Sequence, residues 1–258
     1  MCGTIATSTG DERRGRSLPE EATLAELTDG VGGITPKPTI AAVPPRLDLD
    51  LARTAVFVDF DGTITTVDSG VHALQRLAPG AWEELSDAYA RGEIGSRECL
   101  IDEWDLLPRD EALLREVARE VEIDPGFASL VEGLSAAGAE VTVVSDGFGY
   151  YATEVCEPVG VRVLTNAVDW TTGELQFPHE DQCCPCSTCG VCKQAPIKDA
   201  QHAGLTTVLI GDGTSDRKAA LLADVVFAKG SLQQWCALND VRHIAFDTLA
   251  EVAGALLP

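Results

Sequence analysis

Asp59 and Asp61 directly follow the apolar run TAVFV and precede Gly62, in the segment VDFDGTIT (58–65). A buried strand ending there delivers both carboxylates to the mouth of a sheet, and Gly62 lets the backbone turn away. Asp59 suits nucleophilic attack on phosphorus, giving an aspartyl phosphate. Asp61 suits protonation of the leaving alcohol and later activation of water. VVSDGF (143–148) ends a second apolar run. There the Ser145 hydroxyl, with the backbone N–H groups of Asp146 and Gly147, makes a turn of short donors for phosphoryl oxygens. LIGDGTSD (209–216) ends a third run and sets Asp212 and Asp216 across a glycine turn. Oxygens from Asp212, Asp216 and Asp59, with the backbone carbonyl of Asp61, are the hard ligands of an octahedral magnesium site completed by water and phosphate. Taken singly, each motif also fits an ordinary feature: an acidic turn at 59–62, a helix N-cap at Ser145, a helix-start cap at Asp216. Three strand-terminal motifs in this order are hard to explain as turns.

A second constellation is CCPCSTCGVCK, in which Cys183, Cys186, Cys189 and Cys192 recur every third residue. Four thiolates complete a tetrahedral zinc site, with Cys184 or His179 as substitutes, and a run this tight is a loop folded over its ion. An iron–sulfur cluster, or uncoordinated redox-active cysteines, stay open as alternatives. Clustering of this kind fits a metal clip in a reducing compartment better than a disulfide framework.

These residues need a scaffold. TAVFVDF, AEVTVVSD (139–146), VRVLT (161–165), TTVLIGD (206–212) and DVVFA (224–228) are apolar, β-branched runs separated mostly by helical periodicity. Alternation of this kind predicts an α/β fold with a parallel sheet. NAVDWTTGELQF reads as a hairpin around Thr172-Gly173 hung on that sheet. About 80 residues between the first two strands carry helical patterns only. They predict a helical cap at about 68–135 over the carboxyl ends of the strands, where ligands of open α/β sheets bind. Residues 1–52 read as a mostly disordered leader, with a short amphipathic helix around 18–27 as its one candidate element. His72, His202 and His243 have no partners that suggest chemistry, and Trp82, Trp104 and Trp235 sit in helical patterns that suit packing.

With 41 acidic against 19 basic residues, a formal charge of -22 argues against nucleic acid and anionic lipid as partners. An anionic small molecule requires a metal and one or two placed cations to reverse the field locally. No run reaches the roughly 18 apolar residues of a membrane span, and no basic start leads into an apolar stretch. A soluble cytoplasmic protein is the expectation.

The order D-x-D-G-T, S-D-G, a lysine, then G-D-G-x-x-D, over about 54–228, resembles the motif set of the haloacid dehalogenase phosphatases. The helical insert after the first motif is similar to the cap of their phosphoserine phosphatase branch. The resemblance implies a Rossmann-like three-layer parallel-sheet core with that cap, magnesium, and an aspartyl-phosphate mechanism with Asp59 as nucleophile and Asp61 as acid/base. It also implies a lysine that steadies the nucleophile and the phosphate. Lys193, 19 residues before Asp212 and just ahead of the helical stretch QAPIKDAQHAG, is the expected one, over Lys198. Asp68 stands where phosphoserine phosphatases carry a substrate-binding Glu, and it and Arg97 are candidate substrate contacts, with an ordinary capping or surface role as the favoured alternative for each.

The cysteine loop resembles two groups, the methionine-salvage 2-hydroxy-3-keto-5-methylthiopentenyl-1-phosphate phosphatases and the phosphoethanolamine/phosphocholine phosphatases. The tail FAKGSLQQWC followed by HIAFDTLAEV is similar to the former. Hydrolysis of a small phosphorylated metabolite is therefore the expected activity. A phosphotransferase or phosphomutase using the same residues, or a non-catalytic metal-binding module, are the alternatives.

Overall fold

The computed structural model describes residues 46–179 and 188–258. β1 (Thr54–Val58) leads into four helices, α1 (Ser69–Leu77), α2 (Glu83–Arg91), α3 (Ser96–Leu106) and α4 (Glu111–Ala118). Then come α5 (Phe127–Ala136), β2 (Glu140–Val144), α6 (Tyr150–Cys156), β3 (Arg162–Leu164) and a hairpin of β4 (Ala167–Asp169) and β5 (Glu174–Gln176). The chain finishes with α7 (Gln194–His202), β6 (Thr206–Gly211), α8 (Arg217–Ala220), β7 (Val225–Ala228), α9 (Gly230–Leu238), β8 (Ile244–Ala245) and α10 (Leu249–Leu256).

Six strands form one sheet in the order β3-β2-β1-β6-β7-β8, with every neighbouring pair parallel. All five residues of β1 are buried, as a central strand covered on both faces requires. Its side chains alternate between two cores. Val56 and Val58 join Leu130 and Leu134 of α5 and Val252 of α10, whereas Ala55 and Phe57 join Ile197 of α7 and Leu232 of α9. The result is the expected three-layer arrangement of helices, sheet and helices.

The four-helix insertion enters and leaves through adjacent strands of chain. Thr66 N donates to Glu122 O at 2.9 Å, and Asp124 N to Ile64 O at 2.8 Å, around a bridge between Thr65 and Ile123. This places α5, within the range expected for the cap, in the layer on the sheet: it packs on β2 and α10. Asp124 fixes its start by accepting from Gly126 N at 2.8 Å and from Leu249 N at 3.0 Å. The leader boundary also shifts. Leu47 N donates to Ala255 O at 2.8 Å and Leu51 is buried, so residues from 47 onward are part of the core. Residues 1–45, with the candidate helix at 18–27, lie outside the described residues.

The hairpin pairs antiparallel, with Gly173 at φ +77° in its turn. It is braced by the insertion: Trp104 Nε1 of α3 donates to Gly173 O at 2.9 Å, and the Trp104 ring packs against Phe148 and Trp170. β8 was not among the expected strands, because two residues are too few to carry a period.

Candidate active site

The sheet order reverses direction at β1, which is joined through β2 to β3 on one side and lies beside β6 on the other. Such a switch point opens a crevice beyond the carboxyl ends of the strands. Asp59 follows β1, Ser145 follows β2 and Asp212 follows β6, so three separate strand ends deliver the motif residues to one place. The register holds to the last residue: Asp59 N donates to Ile210 O and Ser145 N to Leu164 O, each at 2.9 Å.

At the centre lies a buried ion-pair cluster. Lys193 Nζ is 2.5 Å from Asp59 Oδ1 and 2.8 Å from Asp216 Oδ1, and it donates to Ser215 Oγ at 2.9 Å. Lys198 sits a turn inside α7, partly exposed, so Lys193 is the lysine the fold brings to the site. The other oxygen of Asp216 accepts from the amides of Asp212 at 3.2 Å and Gly213 at 3.1 Å. Asp216 thus also holds the turn, as its capping reading foresaw. Asp212 Oδ1 accepts from Thr63 Oγ1 at 3.0 Å. Gly62, at φ +76°, passes so close that a Cβ there would lie 2.4 Å from an Asp212 oxygen, which restricts the position to glycine.

Asp61 is held separately. Its Oδ1 accepts from Ser69 N at 3.0 Å and Ser69 Oγ at 2.5 Å, and its Oδ2 from Ser145 Oγ at 3.3 Å. Burial, with the Asp68 carboxylate adding to it, pushes Asp61 up to about 6, against the pull of the Ser69 hydrogen bonds. A carboxyl near that value is matched to taking and giving protons close to neutral pH. Burial and then Asp216 push Asp59 upward too, against the Lys193 ammonium. For Lys193, burial pulls downward, but Asp216 and Asp59 outweigh it and hold the ammonium above its ordinary range.

Carboxylate oxygens of Asp59, Asp212 and Asp216 all lie within 4.8 Å of one another. Hard carboxylate oxygens at this spacing fit a divalent cation such as magnesium.

Above the strand ends is a cavity of about 580 Å³. Asp68, Asp146 and Gly147 line it. Asp68 also caps α1, accepting from Val71 N at 2.9 Å. One expected phosphate donor, the Gly147 amide, is otherwise engaged. The Gly147 amide donates to Ser145 Oγ at 3.2 Å, and the Asp146 carboxylate accepts from Ser96 Oγ at 2.5 Å and Val191 N at 2.7 Å. Arg97 does not line the cavity: its Nε donates to Cys189 O at 3.3 Å and its guanidinium lies 5.0 Å from the Phe177 ring centroid. Cys192 is buried and Cys189 half-buried, whereas Cys183, Cys184 and Cys186 lie outside the described residues.

Several cavity residues had no signal in the sequence. Ser86 and Tyr89 of α2, and Cys99, Leu100 and Glu103 of α3, face the cavity from the insertion. Burial, and then Asp146, keep the Tyr89 phenol protonated well above its usual range, and burial pushes Glu103 upward. Ser69 had a usable signal, since Asp68-Ser69 begins the helix directly after the first motif.

The family model for haloacid dehalogenase-like hydrolases matches residues 56–221. A 2-hydroxy-3-keto-5-methylthiopentenyl-1-phosphate phosphatase of Exiguobacterium sp. strain AT1b is 29% identical over 206 residues, covering 78% of this chain and 95% of that protein. The protein of the same name from Brevibacillus brevis is 28% identical over 207 residues, covering 78% and 93%. Among solved structures, a phosphoserine phosphatase holding a phospho-aspartyl intermediate analogue superposes with a TM-score of 0.60 at 17% identity, covering 79% of this chain and 98% of that one. The T. onnurineus phosphoserine phosphatase gives 0.58 at 20% identity, covering 81% and 96%, and these two likenesses concern the fold. With its strand-end motifs assembled as that fold requires, the chain belongs to the haloacid dehalogenase-like hydrolases, as an enzyme of their phosphatase type.

Proposed function

We propose that the chain is a magnesium-dependent phosphatase that transfers the phosphoryl group of a small metabolite to Asp59 and then to water. The observation that carries this reading is the juxtaposition of Asp59, paired with Lys193 at 2.5 Å, and Asp61, two residues on and pushed up to about 6. Asp59 attacks phosphorus in line. Asp61 gives its proton to the leaving oxygen, then takes one from the water that attacks the aspartyl phosphate. Lys193 and Ser145 hold phosphoryl oxygens. Asp59, Asp212 and Asp216, with the backbone carbonyl of Asp61, would hold magnesium, which supplies neutralisation of the phosphate and of the charge that develops on it. The insertion serves as a cap that keeps water from the site.

For the substrate we infer 2-hydroxy-3-keto-5-methylthiopentenyl-1-phosphate, the compound in the names of the relatives. The cavity supports this choice. Val67, Val71, Cys99, Leu100 and Phe148 give an apolar wall for a methylthio chain, and Asp68, Ser86 and Glu103 give partners for hydroxyl and keto groups. Lys229 is the one Lys or Arg among the described lining residues, and it is drawn to Thr63 O at 3.3 Å and to the Phe246 ring. The insertion therefore offers no cation to the carboxylate of phosphoserine.

We place the protein in the cytoplasm and assign zinc to Cys183, Cys186, Cys189 and Cys192 on the spacing of the cysteines. Metal analysis of the purified protein tests that assignment, with about one zinc per chain expected and no bound metal contradicting it. The function is tested by phosphate release from the named substrate and from phosphoserine, with magnesium and with chelator. Magnesium-dependent release favouring the former is expected, and preference for phosphoserine would overturn the substrate.

A further inference from the structure

The first turn of α3 is stitched to the loop that delivers Lys193. Arg97 N donates to Thr188 O at 3.1 Å. Ser96 Oγ donates to Asp146 Oδ2 at 2.5 Å and accepts from Gly190 N at 3.4 Å, while Asp146 Oδ1 accepts from Val191 N at 2.7 Å. One carboxylate at the end of β2 therefore clamps both the insertion and a backbone amide two residues ahead of Lys193. Hydrogen bonds to a carboxylate are short and geometrically demanding, and these are shielded, since Ser96 is 8% exposed. The backbones also approach closely: a Cβ on Gly95 would lie 2.5 Å from Thr188 O.

Lys193 has one side chain with which to hold Asp59, Asp216 and an incoming phosphoryl group. Its ammonium reaches all three only if the backbone at 190–193 is correctly placed. We propose that Ser96 and Asp146 are positioning residues which couple the seating of α3 to the placement of the Lys193 ammonium. The inference rests on the phosphatase reading. In it, Asp146 works through the lysine loop, while the phosphoryl oxygens are held by Lys193 and Ser145. The insertion then has a second task besides covering the cavity: its α3 end sets the grip of the core on phosphate.

The test uses the full chain and two variants that break the joint by different means. Ser96→Ala removes the hydroxyl, and Gly95→Ala pushes Thr188 away without removing a hydrogen-bonding group. Asp102→Asn, on the exposed side of α3, is the control. Three quantities are read: kcat for phosphate release, affinity for inorganic phosphate by calorimetry with magnesium present, and affinity for magnesium alone. Both joint variants are expected to lose about 10- to 100-fold in kcat, the scale of a small misplacement near reacting atoms. Phosphate affinity should fall with it, while magnesium affinity and the control stay at wild-type values. Wild-type kcat and phosphate affinity in both variants would overturn the proposal, as would a parallel loss of magnesium affinity, which would mean general loosening. If the wild-type protein releases no phosphate from any ester, the phosphatase reading fails on its own, and the calorimetric arm still decides the coupling.

Discussion

Lys193 Nζ lies 2.5 Å from Asp59 Oδ1 although 134 residues separate them, and both side chains are almost fully buried. Removing one member of such a pair leaves the other charge buried without compensation. Lys193→Met is therefore expected to cost about 3–5 kcal/mol of stability at neutral pH without metal, read by denaturant unfolding. Part of the loss should return as pH falls, because burial and Asp216 push Asp59 upward and removal of the ammonium leaves that push unopposed. Activity should fall at least about 100-fold, as for loss of a charge-stabilising donor. A variant as stable as the parent across this range would show that the pair contributes nothing.

In the proposed mechanism Asp61 sets the pH dependence. As an acid it must be protonated in the first step, and as a base it must be ionised in the second. With Asp61 pushed up to about 6 by burial and Asp68, hydrolysis of the intermediate should rise with pH through that region and level off above it. Magnesium nearby favours the ionised form and moves this limb to lower pH, never higher. Asp61→Asn should let an activated aryl phosphate transfer its phosphoryl group but slow release from Asp59, so labelled enzyme accumulates. Stopped-flow and acid-quench measurements read both effects. Unchanged turnover in that variant would remove Asp61 from the chemistry.

The acidic cluster makes stability depend on metal and pH together. Asp59, Asp61 and Asp212 are all held above their ordinary values, so the folded chain binds protons that the unfolded chain releases. For Asp61 the linked stabilisation is present below its ordinary value near 3.8 and fades as pH rises towards about 6. In the proposed site a cation would take over that role at neutral pH. Free magnesium at about 100 times its Kd should add about 2.7 kcal/mol, which is roughly 5–10 °C in Tm for a domain of this size. The gain should be smaller at pH 5, where protons compete for the same oxygens. An equal gain at both pH values would place the metal elsewhere.

In the insertion, Trp104 is the side chain that ties α3 to the hairpin. It is buried and donates to Gly173 O at 2.9 Å. Trp104→Ala should cost about 3–5 kcal/mol, whereas Trp104→Phe keeps most of the packing and loses mainly the hydrogen bond, about 1–3 kcal/mol. Thermal unfolding distinguishes the two, and equal losses would mean that the indole N–H is the main contribution.

What the sequence made legible follows from where its signals are local. β1, β2 and β6 are buried on both faces or nearly so, and they announce themselves as apolar runs whose last residues must then be the motif aspartates and Ser145. Lys193 was legible only through spacing, because no local pattern tells a buried lysine from a solvated one such as Lys198. Tyr89 was not legible at all: α2 buries none of its residues, so its cavity-facing side leaves no apolar stripe. Ser96 and Asp146 carried no sign of their joint, since it is made by segments 50 residues apart. The cap boundary failed for a related reason. The helical period of α5 is the same whether it packs on the sheet or on the insertion, and its packing on β2 and α10 decides it.

The central claim is that Asp59 carries the phosphoryl group, and phosphate release from 2-hydroxy-3-keto-5-methylthiopentenyl-1-phosphate by the parent chain and by Asp59→Asn tests it most directly. The parent should release phosphate with magnesium and not with chelator, while the variant, folded as judged by circular dichroism, falls to background. Phosphate release by Asp59→Asn at the parental rate would contradict the account.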